Sequence, residues 1–276
     1  MSLKSIVVHL DENSAVEQRI AVAVQIARRF RARLRGIYST RKTRAEVDMA
    51  ELSPSEVARR ISEREAREHG QSLLARTAAA ASLGEVDVDV LGTNAIDDAL
   101  AVMRCADLSI VSQPDLENDS GRFDRRLLEA ALLGAGSPLL VLPRVQSAFE
   151  VGHNIVIAWD GGREAARAMR DALPMLASAA RTTLLSIASP QRLREDVERS
   201  QARALTLLAA HGVSAKATRM DCTIDPGELL LSQVSDVGAD LLVMGAYGHA
   251  RVRETILGGM TRTMIEKMTV PVFMSH

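Results

Sequence analysis

Asp240-Leu-Leu-Val-Met-Gly-Ala-Tyr-Gly-His249 decides the fold. The apolar run up to Met244 reads as a buried strand, and Gly245 and Gly248 turn the chain out of it. Working outward, short apolar runs alternate with longer runs of period 3.6. Strands are expected at 5–10, 33–38, 86–91, 107–112 and 138–142, and helices at 14–31, 55–82, 95–105 and 124–134. The order then returns, with strands at 154–159, 182–187, 214–219, 240–244 and 270–274, and helices at 163–179, 192–210, 226–237 and 259–268. Such alternation with short connections implies an α/β protein, a parallel sheet covered by helices on both faces.

The two halves can be laid over one another. Ser5-Ile-Val-Val-His-Leu-Asp11 lies over Asn154-Ile-Val-Ile-Ala-Trp-Asp160. Asp107-Leu-Ser-Ile-Val lies over Asp240-Leu-Leu-Val-Met, and Pro138-Leu-Leu-Val over Pro271-Val-Phe-Met, at one common offset. Periodicity alone does not place an Asp after the first strand, an Asp-Leu at the fourth and a Pro at the fifth. The expectation is a tandem duplication. The domains are 1–146 and 150–276, each a doubly wound, mostly parallel five-stranded sheet. The surplus of the first half sits around Arg41–Ser53.

Composition narrows the function. Hydrophobic residues are 47% and aromatics 3%, so the core is built from aliphatic residues. The formal net charge of -1 gives no general attraction to nucleic acid or anionic lipid. No run is long and apolar enough for a secretory signal or a membrane span, and a cytoplasmic location is expected. Two cysteines, Cys105 and Cys222, make no disulfide framework. The histidines show no metal-site spacing, and no nucleophile elbow occurs. The helix at 55–82 mixes Arg59, Arg60, Glu63, Arg64, Glu65, Arg67 and Glu68, which reads as a solvated face.

The stretch with chemical content runs from Val243 to Arg262, with glycines at 245, 248, 258 and 259. Glycine lets backbone N–H groups approach an anion closely, and a helix start adds free donors and a positive dipole end. The loop follows a strand, so it lies at the carboxyl edge where open parallel sheets bind ligands. It is neither a Walker loop nor a dinucleotide fingerprint. The spacing Gly245-x2-Gly248-x9-Gly258 resembles the ATP-binding signature of universal stress proteins, and Val270-Pro-Val-Phe-Met resembles that family's last strand.

The resemblance implies that Asp160 and Ile187 flank the adenine and ribose of ATP, with magnesium as a candidate companion. It places Met244 and Gly245 near the ribose and first phosphate, and gives Gly248, Gly258, Gly259 and Met260 backbone donors to the phosphates. The family usually has Ser or Thr where Gly259 stands, so Thr261 is the candidate hydroxyl. It further implies a stress-response signalling or scaffold module rather than a dedicated enzyme, and pairing through final strands. Here strands 138–142 and 270–274 are expected to pair antiparallel as an internal pseudo-dimer, with further homodimerisation open. Nucleic acid and membrane are not expected partners. A slow ATPase using His249 or Glu254 and a structural protein without nucleotide are the alternatives.

The first half departs from the pattern. Ser112, Asp115, Arg125 and Arg126 occupy the positions of Gly245, Gly248, Gly258 and Gly259, and Glu117 and Asp119 add negative charge. No ATP is expected there. Tyr247 is read as packing, Arg251, Arg253 and Arg262 as exposed cations, and Trp159 as packing against helix 163–179.

Overall fold

The structure is a computed structural model that describes residues 2–13, 15–40, 56–80, 86–92, 94–115, 120–144, 150–188, 193–221, 225–248 and 259–276. The chain divides into compact units, Ser2–Ser137 and Pro138–His276. The first contains β1 (Ser5–Leu10), α1 (Val16–Phe30), β2 (Arg33–Tyr38), α2 (Glu56–Ala80), β3 (Asp87–Val90), α3 (Ala95–Met103), β4 (Leu108–Ser112) and α4 (Ser120–Gly134). Its strands lie in the order β3-β2-β1-β4, all parallel.

The second unit contains β5 (Leu139–Leu142), β6 (Asn154–Ala158), α5 (Arg163–Asp171), α6 (Leu173–Leu176), β7 (Arg181–Ala188), α7 (Arg194–Ala210), β8 (Lys216–Asp221), α8 (Pro226–Asp236), β9 (Leu241–Gly245), α9 (Gly259–Lys267) and β10 (Val272–Ser275). The order is β5-β10-β9-β6-β7-β8. All neighbours are parallel except β5 with β10, where Val272 faces Val141 and Met274 faces Leu139. Each repeat contributes five strands. β5 sides with the second unit because its ladder is made with β10.

The shared Asp of the fourth strands has the same task in both halves. Asp107 Oδ2 accepts the N–H groups of Lys4 and Ser5 at 2.7 and 2.9 Å. The Asp240 carboxylate accepts those of Gly152, His153 and Asn154 at 2.8–3.0 Å. Each carboxylate thus fixes the entry of the first strand beside the fourth with charge-assisted bonds. Aliphatic cores follow. Ile6, Val8, Leu10, Ile20, Ala23, Ile37, Leu108 and Ile110 are at most 1% exposed in the first unit, as are Ile155, Ile157, Leu184, Leu241, Val243 and Phe273 in the second.

Two helices depart from the sequence reading. The single helix expected over 163–179 is divided into α5 and α6, with a proline at the start of α6. Pro174 has no N–H to give the carbonyl four residues back, and its ring crowds that carbonyl. The helix expected from 124 begins instead at Ser120, with consequences for the first half's carboxyl edge.

Candidate functional site

At the carboxyl edge of the second unit three strands end together. Ala158 of β6 pairs with Leu185 of β7, and Ile157 of β6 pairs with Val243 of β9. The register therefore brings Asp160, Ile187 and Gly245, each about two residues further on, to one edge. Asp160 and Ile187 are half-buried and Met244 is buried within its strand. Asp160 Oδ1 accepts the Gly162 N–H at 2.7 Å, a tight turn that launches α5. Asp11 makes the same turn with the Asn13 N–H at 3.0 Å in the first unit.

Gly245 is dictated by packing. A Cβ there would stand 2.5 Å from the Glu164 carbonyl carbon and 2.6 Å from the Ala165 nitrogen. The start of α5 therefore lies against the end of β9, and no side chain fits between them. Beyond it, the Ala246 N–H donates to the Ser275 carbonyl at 2.9 Å, and His276 Nδ1 bonds the Ala246 carbonyl at 3.0 Å. Tyr247 has φ +63°, an uncommon conformation for a non-glycine residue. Its ring meets His276 edge-on at 5.8 Å, so it packs.

The start of α9 is tied to this turn. Thr261 Oγ1 accepts the Tyr247 N–H at 3.3 Å and the residue is 3% exposed. The candidate hydroxyl thus clamps the turn to the helix. Gly248 and Gly259 are exposed and Met260 is half-buried. A Cβ on Gly259 would meet nothing within 4 Å, so a Ser or Thr would fit there. Gly258, His249, Arg251, Arg253 and Glu254 lie outside the described residues, as does Cys222. Arg262 pairs with Glu266 at 2.7 Å on the exposed face of α9. The Trp159 indole N–H donates to Ser200 of α7 at 3.0 Å, because that helix covers its side of β7, and not toward α5.

Glu164 was not singled out in the sequence, where an acidic residue in a helix's first turn is ordinary. It is 8% exposed, and its Oε1 takes the Arg163 guanidinium at 2.7 Å. Burial pushes its pKa up. Its own backbone N–H, the Arg163 bond and charge, and His276 outweigh this and hold it below the usual glutamate value.

The equivalent edge of the first unit is filled by protein. Arg19, on the buried stripe of α1, is 1% exposed. It pairs with Asp11 at 2.8 Å, donates to the His9 carbonyl and reaches the Ser112 hydroxyl. Ser112 stands where the second half has Gly245, so the guanidinium meets the residue that replaces the first glycine. The early start of α4 packs Gly121 against the Asp115 backbone, leaving no room even for a Cβ. His9, Asp11 and Asp124 bring ligand-type atoms within 4.8 Å of one another, all buried, beside the charge Arg19 supplies. Arg125 pairs with Glu129 at 2.8 Å as a surface i,i+4 pair. A signal for Arg19 existed: it interrupts an apolar stripe through Val16, Ile20 and Ala23.

Comparison with known proteins follows the second unit. The model of the universal stress protein family matches residues 152–276. This match takes in 125 of the 276 residues, just under half of the chain. A curated relative, Universal stress protein Slr1230 of Synechocystis, is 38% identical over 45 residues, 16% of this chain and 16% of that protein. The chain therefore matches only a small part of that relative's length. Over the whole chain the likeness is one of fold. A universal stress protein from Archaeoglobus fulgidus DSM 4304 superimposes with a TM-score of 0.73 at 14% identity, covering 98% of this chain and 97% of that one. A functionally unknown protein from Pseudomonas aeruginosa PAO1 gives a TM-score of 0.64 at 15% identity, covering 99% and 92%. Among the described residues no helix is long and apolar enough to cross a membrane.

Proposed function

We propose that this chain is a universal stress protein and binds one adenine nucleotide, ATP in the first instance, in its C-terminal half, as a signalling or scaffold module. The phosphates would lie over the Gly245–Gly248 turn and the amino end of α9, with Asp160 and Ile187 toward the nucleoside. The observation that carries this reading is the bond from the Tyr247 N–H to Thr261 Oγ1 at 3.3 Å. It holds a glycine turn against a helix start, so backbone donors and the helix dipole converge on one place. Exposed Gly248 and Gly259 leave that place open to a ligand. Gly258 would add a further donor by its position in the family spacing. The N-terminal half carries Arg19 where a ligand would enter and serves the fold alone.

Hydrogen exchange tests the reading. With magnesium-ATP the amides of Gly245–Gly248 and Gly259–Thr261 should exchange more slowly, while those of Ser112–Asp115 stay unchanged. Protection of neither set, at nucleotide concentrations well above cellular levels, would contradict it.

A further inference from the structure

We propose that Glu164 makes phosphate binding at the Gly245–Gly248 turn depend on a divalent cation. The proposal rests on the nucleotide reading and gives it a specificity-determining residue. Glu164 is the second residue of α5 and 8% exposed. Its carboxylate has two sides. Oε1 is held by Arg163 at 2.7 Å. Oε2 faces the turn: a Cβ on Gly248 would stand 3.2 Å from it. The Glu164 backbone lies so close to Gly245 that the residue cannot withdraw without moving the start of α5. Its carboxyl is held below the usual glutamate range, so it is ionised near neutral pH.

An anionic oxygen therefore sits beside the glycine backbone that would receive a phosphate. Two like charges at such range repel strongly wherever water is partly excluded. Arg163 does not cancel this repulsion, because its side chain is 80% exposed and bound to the far oxygen. His276 contributes some positive field, but its Nδ1 is engaged with the Ala246 carbonyl. A hard divalent cation reconciles the two anions. Magnesium characteristically takes one or two carboxylates together with phosphate oxygens and retained waters. Oε2 is the oxygen directed toward that position.

The test is calorimetric titration with ATP, in excess magnesium and in EDTA, for wild type, Glu164→Gln and Arg163→Ala. Glutamine keeps the size and the hydrogen-bonding oxygen while removing the charge, and circular dichroism melting verifies the fold. Removing magnesium should weaken wild-type binding by about tenfold or more, as expected for one unscreened like-charge contact. Glu164→Gln should bind metal-free ATP about tenfold more tightly than wild type does, with most of the magnesium dependence gone. Arg163→Ala should weaken metal-free binding further. An unchanged magnesium dependence in Glu164→Gln, or a wild type indifferent to magnesium, overturns the role of Glu164 and leaves the nucleotide reading standing. Absence of binding in every protein and condition overturns both.

Discussion

The Arg19 guanidinium stands 2.8 Å from Asp11, and both side chains are 1% exposed. Asp11 corresponds to Asp160, the residue that launches α5 at the candidate site of the other half. In the first half that position is neutralised from within by a residue whose counterpart in the second half is Ala168, itself fully buried. A buried pair of this kind tolerates the loss of one partner poorly, because the other charge is left unpaired. Arg19→Met should therefore cost about 3–5 kcal/mol in denaturant unfolding. Asp11→Asn with Arg19→Met together should recover part of that loss, and a double-mutant cycle measures the coupling. A loss under about 1 kcal/mol for the single variant would show that the guanidinium is not held as described.

Gly245→Ala tests the close approach of α5. The added methyl would meet backbone atoms of Glu164 and Ala165 at 2.5–2.6 Å, and backbone cannot step aside as a flexible side chain does. Overpacking of this kind typically costs about 1–3 kcal/mol. The variant should melt lower and bind nucleotide more weakly. Gly259→Ser makes the contrast: its Cβ enters open space, so stability should change by less than about 0.5 kcal/mol, while an added hydroxyl should strengthen nucleotide binding.

The pH dependence of stability follows from Glu164. Its folded carboxyl lies below the ordinary value of 4.5 despite burial, through its own backbone N–H, Arg163 and His276. The ionised group therefore contributes stability that is fully present above the unfolded value and is lost as pH falls through the folded one. The stability difference between wild type and Glu164→Gln should be largest near neutral pH and shrink below about pH 4.5. Urea unfolding at several pH values measures it, and a difference constant from pH 7 to pH 3 would contradict the assignment.

Much of the fold was legible because local signals agreed. The apolar runs at 5–10 and 33–38 coincide with β1 and β2. The Asp shared by residues 107 and 240 proved to be a backbone clamp in each half, a physical reason for a pattern first seen as repetition. Pro174 was a visible breaker within an otherwise periodic run, and its effect on the chain carbonyl outweighed the periodicity. The early start of α4 was harder to read, since Ser120 and Gly121 look like loop residues, and the close approach of Gly121 to the Asp115 backbone is not encoded in spacing. At the candidate site, Gly245, Gly248 and Thr261 were named from their place in the sequence, and the structure brings the turn 245–248 and Thr261 together. Glu164 was not, because its importance lies in a distance to Gly248 across the edge of the sheet. Thr261 was expected to offer its hydroxyl to a ligand; its oxygen also holds the Tyr247 N–H, a role that spacing does not encode.

We propose that one half of this chain, and one only, takes a nucleotide. Calorimetric titration of nucleotide-stripped protein with magnesium-ATP, run beside Gly248→Asp and Arg19→Met, tests it most directly. A Cβ on Gly248 stands 3.2 Å from Glu164 Oε2, so the aspartate should lower the melting temperature modestly while placing a side chain and a charge in the turn, and the titration is run well below that temperature. The account predicts about one site per chain in wild type and in folded Arg19→Met, and none in Gly248→Asp, as anion capture at a helix start requires. Binding that persists in Gly248→Asp, or two equivalent sites per chain in wild type, would contradict it.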